Sequence, residues 1–134
     1  MNNKISAKET LQLFCHKWFE QRDAKGAARY IADDVDFVGT GANEAAQGRK
    51  EMEAYLCQDI EEMTEPFACD WSVIHEQPLT EDFHNLSMNM TLKNTKYTWY
   101  LRGFFTLVRQ EGRGWLIKSF HFAEPANSQR GSEH

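Results

Sequence analysis

The chain has 134 residues, of which 41% are hydrophobic, 26% charged and 13% aromatic, the balance of one globular domain with a sizeable core and not of a disordered chain. Its net charge is −5, and it has neither a Lys/Arg run nor an apolar run of membrane-spanning length. Nucleic acid and membrane are therefore excluded as expected partners.

Ser6 and Glu9 stand at capping-box spacing, so a helix begins there and runs to about Arg22. Leu11, Phe14, Cys15, Trp18 and Phe19 form its apolar side. Asp23 caps a second helix over 24–32, with Ala27, Ala28 and Ile31 on its inner face. Residues 35–38 read as a short strand, Val35 and Phe37 on one face, Asp36 and Val38 on the other. A glycine-rich turn, 39–43, follows. A third helix starts after Gly48, with Met52, Tyr55, Leu56, Ile60 and Met63 at helical steps, and Pro66 ends it.

From Phe67 onward the period changes to two. Four strands are expected, over 67–76, 83–92, 96–109 and 114–123, joined by hairpin turns around Pro78, Asn94 and Gly112. Helices followed by an antiparallel meander make the fold class α+β. The third of these strands is apolar on both faces: Tyr97, Trp99, Leu101 and Phe105 share one parity, Tyr100, Phe104 and Val108 the other. Helices cover only one face of a sheet, so the other is expected to form a homodimer interface. Gly103 is expected to mark a bulge or bend that curls the sheet.

Two stretches resemble the SnoaL-like branch of the nuclear transport factor 2-like superfamily. Residues 34–44 read Asp-Val-Asp-Phe-Val-Gly-Thr-Gly-Ala-Asn-Glu and precede Gly48 and the third helix. Residues 114–125 read Gly-Trp-Leu-Ile-Lys-Ser-Phe-His-Phe-Ala-Glu-Pro. The order of elements is also similar, and the resemblance spans 6–125. It implies a cystatin-like fold, in which a curved antiparallel sheet and N-terminal helices form a cone-shaped pocket. The superfamily includes isomerases, cyclases, dehydratases, hydrolases, transport factors and ligand-binding modules, so function has to be argued from the site. Related domains often end in His-x-Ser; here the stretch is His121-Phe-Ala123.

His121 shares parity with Trp115, Ile117 and Ser119, the face expected to point inward. There it would be a general base or a hydrogen-bond donor to ligand, or else a bridge to a backbone carbonyl or to Glu44. Asp36 is the second candidate acid/base, solvated if Phe37 points into the core and buried if a bulge reverses the parity. Asp70 and Arg102 are a candidate cross-strand ion pair. The first helix has no Tyr, which argues against the isomerase arrangement of this fold. His75, Glu76 and His84 lack metal-ligand spacing and read as surface residues, and Gly39-x-Gly41 is too short for a dinucleotide loop, so neither metal nor cofactor is expected. Trp18, Tyr30, Phe37, Tyr55, Trp71, Met88, Met90 and Trp99, with Arg102 and His121, are the candidate pocket lining.

The leading expectation is a dimeric domain, residues 1–126, that binds a small apolar or aromatic molecule, with a flexible polar tail over 127–134. A SnoaL-like enzyme with His121 and Asp36 as acid/base, and a dimerisation scaffold, are the alternatives. Cys15, Cys57 and Cys69 are widely spaced without CxxC, and the N-terminus lacks a signal-peptide core, so a cytoplasmic protein with reduced thiols is expected.

Overall fold

The computed structural model describes residues 5–125; the expected tail, 127–134, lies outside the described residues. The chain order is α1 (Ala7–Cys15) continued by a π-helical turn (His16–Glu20), α2 (Ala24–Ala28), β1 (Ile31–Val38), β2 (Ala45–Gln47), α3 (Gly48–Glu62), then β3 (Ala68–Thr80), β4 (Phe83–Lys93), β5 (Thr98–Gln110) and β6 (Gly114–Ala123). One six-stranded sheet runs β2-β1-β6-β5-β4-β3. The last four strands form the expected antiparallel meander, whereas β1 pairs parallel to β6, so the curled sheet is mixed. Among the described residues no helix is long and apolar enough to cross a membrane.

Local chemistry explains the elements. The Ser6 hydroxyl accepts from the Glu9 amide at 3.1 Å and the Glu9 carboxylate accepts from the Ser6 amide at 3.0 Å, completing the capping box. The helix then widens: the Gln21 amide donates to the His16 carbonyl five residues back, at 2.9 Å. The wider turn lets the adjacent Trp18 and Phe19 both turn inward, stacked at 4.3 Å. Asp23 caps α2 by accepting from the Gly26 amide at 2.9 Å. That helix stops at Ala28, short of the expected end, because Ile31 onward is captured by the sheet: Ile31 pairs with Ile117, and the Tyr30 carbonyl accepts from the Ile117 amide at 2.7 Å. Arg49 stitches the junction, donating to the carbonyls of Ala28 and Ile31 at 2.6 and 2.5 Å. Strand β1 is accordingly longer than expected, and β2, too short for a periodic signal, was not foreseen. Strand β3 runs on through Pro78, tolerated because β3 is the sheet's edge.

Helices and the inner sheet face enclose one main core containing Leu11, Phe14, Phe37, Met52, Leu56, Met88 and Ile117. Pairing through Gly103 is regular, from Met88 to Gly103 to Phe122, so no bulge lies there. Glycine is required for space: a Cβ would stand 2.6 Å from the Phe105 ring and 3.2 Å from that of Phe122. The bulge is in β6, where Thr106 faces Ser119 but Leu107 faces Ile117, leaving Lys118 as the extra residue. The inward side chains change parity there, from Trp115 and Ile117 to Phe120 and Phe122.

Candidate functional site

A cavity of about 220 Å³ lies between the π-helical turn, α3 and the inner sheet face. Its walls are aromatic: Trp18 and Phe19 from the helical turn, Phe37 from β1, Tyr55 from α3, Trp99 from β5 and Phe122 from β6. Phe67, Leu92 and Leu101 complete the apolar lining. The rings brace one another, with Phe37 to Tyr55 at 4.8 Å and Phe67 to Trp99 at 5.3 Å between centroids. Trp99 remains 42% exposed, which places it at the opening.

The polar groups come from chain segments that the core has already fixed. Tyr55 and Asp59 are one helical turn apart on α3 and face the cavity together. Asp59 accepts from the Trp18 indole N–H at 2.9 Å and from the Arg22 guanidinium at 3.2 Å. Arg22 also donates to the carbonyls of Met63, Trp18 and Asp59 at 2.7–3.1 Å, tying the first helical segment to the end of α3. Its guanidinium lies over the Phe67 ring, 5.5 Å from the centroid. Glu44 accepts from the Gly41 amide at 2.9 Å, which folds the 39–44 turn and turns the carboxylate to the cavity. Thr40 and Glu124 finish the rim. Burial, then the charges of Asp59, Glu44 and Glu62, hold the Tyr55 phenol well above its ordinary pKa, with Arg22 opposing. Tyr55 is therefore a neutral hydrogen-bond donor throughout the physiological range.

Of the expected lining, Trp18, Phe37, Tyr55 and Trp99 meet in this cavity. Met88 and Met90 are buried in the core and Trp71 packs against it, half-buried. Tyr30 lies in a separate crevice with Thr10, Arg113 and Trp115. Arg102 is on the outer sheet face, donating to Asn89 at 3.1 Å; β4 separates its strand from Asp70, and no ion pair forms between them. His121 is exposed on the outer face, stacked on Phe104 at 4.8 Å, because the extra residue at Lys118 reverses the parity on which an inward direction was based. Asp36 is exposed while Phe37 is buried, the solvated alternative. The pairing of Asp36 with Ser119 and of Val38 with His121 sets both candidate acid/base residues outside the cavity. His75, Glu76 and His121 instead border a broad outer-face depression with Ser87, Asn85 and Thr106. His84 packs on Trp115 at 4.5 Å and meets Glu76 at 3.1 Å.

The charged cavity residues Arg22, Glu44, Asp59 and Glu124 all lie outside the expected lining. The spacing of Asp59 from Tyr55 is a readable signal for one shared helix face. Nothing in the sequence marks Arg22, whose position depends on the widened turn.

Residues 8–127 match the family model described as the SnoaL-like domain. No curated protein matches the sequence. Solved structures share the fold at low identity. A ketosteroid isomerase-like protein from Erwinia carotovora atroseptica is 14% identical with a TM-score of 0.75, covering 94% of this chain and 99% of its own. A candidate scytalone dehydratase from Novosphingobium aromaticivorans is 16% identical with a TM-score of 0.73, covering 88% and 80%. An NTF2-like protein of unknown function from Pseudomonas putida is 15% identical with a TM-score of 0.72, covering 88% and 83%.

Proposed function

The chain belongs to the SnoaL-like domain family, and from that premise we propose that it is a small-molecule-binding domain whose ligand enters the aromatic cavity. The observation that carries this reading is the cavity itself: about 220 Å³ walled by rings from five elements, with a protonated phenol turned into it. Concave apolar sites with few polar groups are where proteins hold small organic molecules. Close ring packing would have filled this volume had the only role of these residues been to stabilise the core. The neighbours with isomerase and dehydratase names share the fold, which supports the architecture and leaves the chemistry to the site. The acid/base pair that an enzyme reading would use, His121 and Asp36, does not face the cavity.

The outer sheet face belongs to the same proposal. Tyr100 and Phe83 are 42% and 41% exposed there, and Phe104 with His121 forms an aromatic stack on the same face. A second copy of the chain would cover this face.

The binding reading is tested by titrating isotope-labelled protein with phenethyl alcohol and following the indole N–H resonances of Trp18 and Trp99. Both are expected to shift on saturation, and Leu101→Trp, which fills the cavity, is expected to abolish the shifts. Shifts that survive unchanged in a folded Leu101→Trp variant, or that never appear, would overturn it.

A further inference from the structure

Resting on that binding reading, we infer the charge class of the ligand: the cavity selects a small aromatic cation, its ring among the aromatic walls and a protonated amine turned toward Glu44 and Glu124. The lining carries the carboxylates of Glu44, Asp59 and Glu124 against a single guanidinium, that of Arg22. Arg22 has little left for a ligand. Its side chain is 5% exposed, and its N–H groups are directed at Asp59 and at the carbonyls of Trp18, Asp59 and Met63. Asp59 is neutralised in the same contact. Among the described residues no Lys or Arg forms an ion pair with Glu44 or Glu124, so their charge sets the sign of the field at the opening.

The same field acts on Tyr55. Beyond burial, the groups that raise its pKa are the carboxylates of Asp59, Glu44 and Glu62, and only Arg22 acts in the other direction. A site that disfavours a phenolate disfavours any other anion placed there. Aromatic faces attract a cation through their quadrupoles, and the lining presents several, Trp99 at the opening and Tyr55 among them. A ligand carboxylate would meet these faces and two carboxylates without a Lys or Arg partner, and among the described residues the lining offers it no free cation. The volume of about 220 Å³ sets the scale. A dry cavity of roughly 150 Å³ accepts benzene, so one ring with a short arm fits.

The experiment compares three probes of one shape, phenethylammonium, phenethyl alcohol and 3-phenylpropionate, each titrated against the Trp18 and Trp99 indole signals. The ammonium is expected to bind about tenfold more tightly than the alcohol, and the carboxylate most weakly. Doubling as a control on cause, the Glu44→Gln, Glu124→Gln double variant is expected to bring the ammonium-to-alcohol ratio toward one. An alcohol that binds as well as the ammonium overturns the charge assignment and leaves the binding reading standing. A ratio unchanged in the double variant also overturns it. Failure of all three probes to move either indole signal removes both.

Discussion

Arg22 adopts a φ of 52°, a left-handed backbone that costs a non-glycine residue about 1–2 kcal/mol. The side chain offsets this by satisfying carbonyls at the end of α3 that would otherwise be orphaned near the cavity. Individual side chains also set the alkaline limit of the fold. Burial first, and then the charge of Glu20, pushes the Cys69 thiol up to about 12, and burial raises Cys15 and Tyr55 as well. A raised folded pKa means that the native state keeps a proton the unfolded chain has lost. The associated stability is complete below the ordinary thiol value of 9.0 and is lost as the pH climbs toward about 12. Urea midpoints are therefore expected to be level up to about pH 8 and to fall from about pH 9, less steeply in Cys69→Ser. Midpoints that hold or rise across that range would contradict this account. At this scale the sequence marked Trp18, Phe37, Tyr55 and Trp99 but did not separate them from Tyr30 and Trp71, because apolar periodicity does not tell core from cavity wall. It did not mark Arg22, because a left-handed residue without glycine or asparagine carries no signature.

At the scale of elements, the bulge at Lys118 decides which residues serve the core and which face out. Were Lys118 paired in a regular ladder, Phe120 and Phe122 would share parity with Leu116 and leave the inner face, and His121 would take their place. Deleting Lys118 removes the unpaired residue and leaves Phe120 and Phe122 in phase with Ile117, so the deletion variant is expected to fold and to keep its near-UV signal. Lys118→Ala, which loses only its exposed 2.6 Å pair with Asp34, is expected to leave the urea midpoint essentially unchanged. A deletion variant that aggregates or lacks a native near-UV signal would show that the strand needs the bulge itself as well as the parity it sets. Periodicity made the strand legible but not its bulge, since Trp115, Leu116 and Ile117 are all apolar and a one-residue slip leaves such a run unchanged. The capping box of α1, by contrast, was readable in full, because its partners are three residues apart.

For the whole molecule, the outer face makes the remaining prediction. At micromolar concentration the protein is expected to sediment at twice the protomer mass of 15.6 kDa, and Phe104→Asp, at the centre of that face, to return it to the protomer mass. A wild-type protein at the protomer mass would remove the dimer. The sequence by itself determined the α+β class, the four-strand meander, the helix caps and four of the cavity's rings, because each of these follows from local spacing and side-chain chemistry. Only the tertiary structure decided that β1 joins β6 in parallel, that His121 and Asp36 lie outside the cavity, and that Arg22, Asp59 and Glu44 lie at it. Those outcomes depend on contacts between residues far apart in the chain and on one unpaired residue in β6, which no local period records.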